Sequence, residues 1–142
     1  MNIQEIQDRI GKRVIQFRAW DKTRKLMVRS EYPDNWEYIR DEYYGDWVKT
    51  KLTSIENISS NDNFTVMQYT NLKDKNGKKI FSGDIVKKEG RIGVVVMHAG
   101  CWCIQISENE YVGFSANSNG NEGSCEVIGN VFDHPEILSP SQ

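Results

Sequence analysis

No stretch of this 142-residue sequence is apolar for long enough to cross a bilayer. The longest apolar run, Val94 to Met97 with its neighbours, is the size of a strand. The opening Met1-Asn2-Ile3-Gln4-Glu5 has no basic region leading into an apolar one, so no secretory leader is expected. Cysteine is scarce: Cys101, Cys103 and Cys125 are too few, and odd in number, for a disulfide framework. Reduced thiols in a cytoplasmic protein are the expectation. No phosphate-cradling or dinucleotide-binding glycine loop is present. The carboxylates lie in scattered polar runs, and nothing marks a strained nucleophile turn or an oxyanion hole, so no enzyme is expected. Lysine and arginine are wholly missing from residues 93–142.

That last absence is one end of a blockwise charge layout. The net charge is only -2, yet residues 1–30 carry eight Lys/Arg against three acids. Residues 31–63 reverse this with three against eight, residues 64–92 carry seven against three, and the final fifty carry six acids alone. Either oppositely charged segments lie beside one another within one fold, or a positive and a negative face meet between subunits or on a partner. Four tryptophans and six tyrosines exclude wholesale disorder.

Ile3, Ile6 and Ile10 recur at helical spacing, which predicts a short helix over residues 2–10 ending at Gly11. From Val14 the period becomes two, and a hairpin follows through Asp21-Lys22-Thr23-Arg24-Lys25 into Leu26-Met27-Val28-Arg29. Residues 31–63 are irregular, with a short helix expected over part of 34–43 and a flexible joint at Ser59 to Asn63. From Phe64 onward short strands alternate with turns, including the Asn76-Gly77 dipeptide. A polar loop, Asn117 to Ser124, holds no apolar anchor and reads as flexible. Short strands at regular intervals indicate a small antiparallel barrel or sandwich.

Three stretches carry a resemblance. They are Phe17-Arg18-Ala19-Trp20-Asp21-Lys22 with Met27, then Met67 to Lys78 running on to Gly83-Asp84-Ile85-Val86, and Val127-Ile128-Gly129-Asn130-Val131-Phe132 with Pro135-Glu136. In order and spacing they resemble the YopX-like family of phages and prophages of Gram-positive bacteria. The resemblance implies a mainly β protein with an SH3-like small barrel in the C-terminal half and a small N-terminal β subdomain, to which the periodicity adds a short N-terminal helix. The expected division is 1–60 for the extension and subdomain, 64–134 for the barrel and 135–142 for the tail. The family brings no activity to carry over. Its shared residues read as structural: Gly83-Asp84 fits a turn whose carboxylate accepts backbone N–H groups, and Gly129 fits a bulge or close approach. The N-terminal extension and Cys101-Trp102-Cys103 depart from the family pattern.

Four kinds of chemistry compete for the remaining residues. Cys101, Cys103 and Cys125 with His98 or His134 could ligate a metal, but knuckle spacing is lacking, and buried thiols without a metal or cofactor are expected. Nucleophilic catalysis has no assembled triad in view. Nucleic-acid binding has the basic set Arg13, Arg18, Lys22, Arg24, Lys25 and Arg29 around Trp20, opposed by the acidic C-terminal block. Protein contact, with a homo-oligomer or a protein partner and no membrane, has Tyr32, Trp36, Tyr38, Tyr43, Tyr44 and Trp47. A non-enzymatic protein-binding or self-associating module is the leading expectation, with a nucleic-acid accessory role as the alternative.

Overall fold

The hairpin at Asp21 starts the first sheet. Strand β1 (Phe17–Asp21) returns as β2 (Leu26–Tyr32), with Ala19 opposite Val28 and Trp20 opposite Met27. Between them Asp21 is fully buried, and its Oδ1 accepts the N–H groups of Thr23 and Arg24 at 3.1 and 3.0 Å. The side-chain amide of Asn63 donates to the same oxygen at 2.9 Å, tying the turn to the approach of the next strand. The structure, a computed structural model, describes residues 1–10, 14–32, 35–38 and 62–139. The short N-terminal helix α1 is Ile3–Ile10.

Strand β3 (Asn35–Tyr38) pairs antiparallel with β2 and is the outermost strand of the sheet among the described residues. Within the span 34–43, part of which is expected to be helical, residues 35–38 form a strand because β2 offers them a backbone partner. Residue 34 and residues 39–43 lie outside the described residues.

Strand β4 (Phe64–Lys73) serves both halves of the protein. Its first part pairs with β1, from Asp21 opposite Phe64 to Phe17 opposite Gln68. At Asn71 the backbone turns into the left-handed region at φ 66°, which asparagine tolerates better than most residues, and the register shifts by a bulge. The Asn71 amide clamps the chain beside it, accepting the Val14 N–H at 2.9 Å and donating to the Val14 carbonyl at 2.8 Å. Beyond the bulge, Leu72 and Lys73 pair with β5 (Lys79–Phe81). The first sheet thus has the order β3-β2-β1-β4-β5.

The second sheet is an antiparallel meander of β6 (Asp84–Lys88), β7 (Arg91–His98), β8 (Cys101–Ser107) and β9 (Glu110–Gly113). Strand β10 (Cys125–Asn130) returns beside β6, giving the order β10-β6-β7-β8-β9, and a short 3-10 turn follows at Pro135–Ile137. The protein is mainly β, with one sheet curled into a half-barrel. Its core is Ile80, Val86, Val95, Ile104 and Cys125, all fully buried. Each aliphatic member is worth roughly 1.5–3 kcal/mol over its exposed state. Ile80 comes from the first sheet and Leu72 packs alongside it, so β5 and the end of β4 cover the half-barrel.

A buried ion pair sits at one end of that core. Lys88 Nζ donates to Glu122 Oε2 at 3.1 Å, to Ser115 Oγ at 3.0 Å and to the Gly113 carbonyl at 3.1 Å. Glu122 also accepts the Ser124 hydroxyl at 2.7 Å, the Ser124 N–H at 3.1 Å and the Ser115 N–H. The loop expected to be unanchored is therefore pinned, by a carboxylate rather than an apolar residue. It also joins β4, with Lys73 N–H donating to the Gly120 carbonyl at 2.8 Å and Glu122 N–H to the Lys73 carbonyl at 2.7 Å. Burial alone raises the pKa of Glu122, but the donors from Ser115, Ser124 and Lys88 outweigh it and hold the carboxyl at about 2, against an ordinary 4.5.

Two predictions follow from this framework. Because the folded carboxyl of Glu122 titrates below the unfolded one, its contribution is complete above pH 4.5 and lost as pH falls towards 2. Urea titrations between those limits will show wild type losing on the order of 3 kcal/mol that Glu122→Gln does not lose. The second concerns Arg18 NH2, which lies 2.6 Å from Asp84 Oδ1 across the two sheets. Arg18→Met strands that carboxylate and will lower unfolding free energy by about 3–5 kcal/mol; adding Asp84→Asn will recover part of the loss.

Candidate functional site

Where the two sheets meet, a cavity of about 390 Å³ opens between the β1–β2 hairpin and the end of β10. Its floor is the Arg18–Asp84 pair. Asp84 opens β6, is almost wholly buried, and its second oxygen accepts the Phe81 N–H at 2.8 Å. Burial pushes the Asp84 carboxyl above its ordinary range, and the Arg18 guanidinium and the Phe81 N–H oppose that rise. Arg18 also lies over the Phe81 ring, 4.7 Å from its centroid.

The hairpin supplies one wall through Lys25, Leu26 and Met27, and the β4–β5 turn supplies Lys78. That turn is set by Asp74, whose Oδ1 accepts the N–H groups of Asn76 and Lys78, each at 2.9 Å, with Gly77 at φ 78°. Asp74 Oδ2 accepts the Val127 N–H at 2.9 Å, so the same carboxylate fixes β10 beside the turn.

The opposite wall is the segment from Gly129 to His134. Asn130 Oδ1 accepts the N–H groups of Phe132 and Asp133 at 3.0 and 2.9 Å, and its Nδ2 donates to Asp133 Oδ2 at 3.0 Å. The Asn130 N–H donates to His134 Nδ1 at 3.3 Å, which in the neutral ring puts the proton on Nε2. Gly129 is required here: a Cβ would come within 2.8 Å of His134 Nδ1. The segment is held onto the first sheet by Phe132, which stacks on Trp20 at 5.4 Å between ring centroids.

The sequence profile of the YopX protein matches residues 16–139. The chain belongs to the YopX family. Protein EF1440 from Enterococcus faecalis shares the fold, at a TM-score of 0.52 and 24% identity, covering 88% of this chain and 98% of that one. YopX from Bacillus subtilis aligns at 16% identity and a TM-score of 0.45, covering 89% and 98%. No curated protein matches. The YopX match begins after α1, so the helix lies outside the family stretch.

The cavity gathers residues from all three stretches that carry the YopX resemblance. The basic segment expected to face nucleic acid is divided by the fold. Trp20 is only 8% exposed and stacked on Phe132, so it offers no face to a base. Arg18 is engaged with Asp84, Lys22 Nζ donates to the Asp62 carbonyl at 2.8 Å, and Arg24 lies 3.4 Å from Asp21. Arg29 is on β2 opposite Arg18, Lys25 reaches the cavity, and Arg13 lies outside the described residues. Of the aromatic contact candidates, Tyr32 ends β2 and Trp36 and Tyr38 lie on β3. Tyr43, Tyr44 and Trp47 lie outside the described residues.

Of the metal candidates, His98 lies opposite Cys101 across β7 and β8, away from His134. His98 stacks on Tyr111, with ring centroids 3.8 Å apart, while His134 lines the cavity. Among the described residues no group of His, Cys, Asp and Glu could hold a metal ion. All three cysteines are free, with Cys101 exposed and Cys103 and Cys125 buried. Burial, and then the carboxylates of Glu122 and Asp74, push the Cys125 thiol up to about 12, and burial and Cys101 raise Cys103. A native protein treated with a thiol-specific chromogenic reagent at pH 8 will therefore release one equivalent rapidly, from Cys101, and the other two only on unfolding.

Proposed function

We propose that the chain is a non-enzymatic protein-contact module that associates with a second copy of itself through α1. The observation that carries this reading is the exposed isoleucine row of the helix. Asn2 caps α1, accepting the N–H groups of Gln4 and Glu5 at 3.0 and 3.3 Å, yet none of its residues is buried. Ile3 is 57% and Ile10 73% exposed, and Val14 and Ile15 are exposed as well. An isolated helix of this length is marginal in water, and its stability comes from burying its apolar face. Exposed apolar side chains on one short helix suit a contact surface.

Other features agree with the reading. The basic first thirty residues and the acidic last fifty give two copies a means of orienting each other. Free thiols fit a reducing cytoplasm, and the sequence resemblance fits a phage or prophage origin. The nucleic-acid alternative loses support from the internal engagement of Arg18 and Trp20.

Light scattering at about 100 μM, where micromolar pairs are assembled, will give a mass above 16.4 kDa. Ile3→Ser with Ile10→Ser will return it to the monomer mass and leave the urea midpoint of the dissociated chain unchanged. A wild type that remains monomeric at that concentration defeats self-association.

A further inference from the structure

The cavity between the sheets carries three cationic side chains, Arg18, Lys25 and Lys78, against two carboxylates, Asp84 and Asp133. Two of its carboxylates are already answered. Asp84 is met by the Arg18 guanidinium and the Phe81 N–H, and Asp133 accepts from Asn130 Nδ2. The ammonium groups of Lys25 and Lys78 make no hydrogen bond or ion pair among the described residues, although both line the space and the Lys78 charge acts on Asp84 across it. In the tautomer set by Asn130, His134 adds an N–H donor on Nε2 to the same segment. Leu26 and Met27 supply an apolar patch on the hairpin side. Unanswered donors around a space of small-molecule size, with a little apolar wall, define a site for an acidic ligand.

Lys25 adds a second observation. It sits in the hairpin turn at φ 55°, a left-handed position where glycine costs least. A lysine there keeps a cation over the cavity at the expense of backbone ease. Strain of this kind, retained beside a cavity, is a feature of ligand sites.

We propose that this cavity binds a small organic anion, its phosphate or carboxylate head held between Lys25 and Lys78 and its apolar part against Leu26 and Met27. The site is independent of α1 and of any self-association. Arg18 positions the floor through its Nη2 contact with Asp84, and its buried Nε, which has no hydrogen-bond partner among the described residues, adds a further donor to the lining.

The test is a titration of the full chain with inorganic phosphate, and separately with acetate, at constant ionic strength, followed by backbone amide NMR. At least one anion will produce saturable shifts centred on Gly129, Asn130, Asp133 and His134, with a dissociation constant in the millimolar range expected of a bare head group. Lys78→Glu will weaken binding by about tenfold or more, the scale of one charge-assisted hydrogen bond. Lys25→Gly will weaken it while raising the melting temperature, a combination that a purely structural lysine would not give. Asp133→Asn, which removes the remaining negative charge, will tighten it. Lys87→Glu, at an exposed site away from the cavity, will leave it unchanged. Shifts that fail to saturate with either anion, weakening by Asp133→Asn, or equal effects of Lys87→Glu and Lys78→Glu would each overturn the proposal.

Discussion

A carboxylate removed from water must be met by donors, and this fold is organised around meeting that requirement at its turns. Asp21, Asp74, Asp84 and Glu122 are all buried, and each accepts at least one main-chain N–H. Each also reaches a residue distant in sequence: Asn63, Val127, Arg18 and Lys88 respectively. One side chain thus sets a turn locally and fixes what the turn stands beside. Such groups are costly unless fully satisfied, so they narrow the arrangements open to the chain more than apolar contacts of equal area would.

The cavity is a product of the same device. Asp74 brings the β4–β5 turn against β10, and Asp84 brings β6 against β1. The two meeting lines leave a gap that neither sheet fills, and the Trp20–Phe132 stack keeps its far wall in place. The charge blocks resolve partly in this geometry. Lys75, Lys88 and Arg91 of the third block pair with Glu126, Glu122 and Glu110 of the fourth. Those segments are neighbours within one chain, which is the plainer of the two arrangements open to them.

Strands with strict alternation and clear turn residues were legible in the sequence, as were the Asn76-Gly77 turn and the roles of Gly83-Asp84 and Gly129. Strand β5 was not, because three residues carry too little periodicity to register. Strand β3 was hidden by residues that suit a helix equally well until β2 is beside them. The Asn117 to Ser124 loop looked unanchored because anchors were sought among apolar side chains, and Glu122 is charged. The cavity had no local signal at all. Lys25, Lys78, Asp84 and His134 are far apart in sequence, and only the two buried aspartates and the shared strand bring them together.

That shared strand has a consequence for how the molecule can change over time. Because β4 completes the first sheet with one end and covers the half-barrel with the other, no cut point separates two self-sufficient pieces. A splice between relatives placed within Phe64–Lys73 would have to match β1 on one side and β5 on the other at once. Exchange is easier before β1, where α1 lies outside the family stretch. The two ends of β4 are therefore constrained together, and a change on one side must stay compatible with the other.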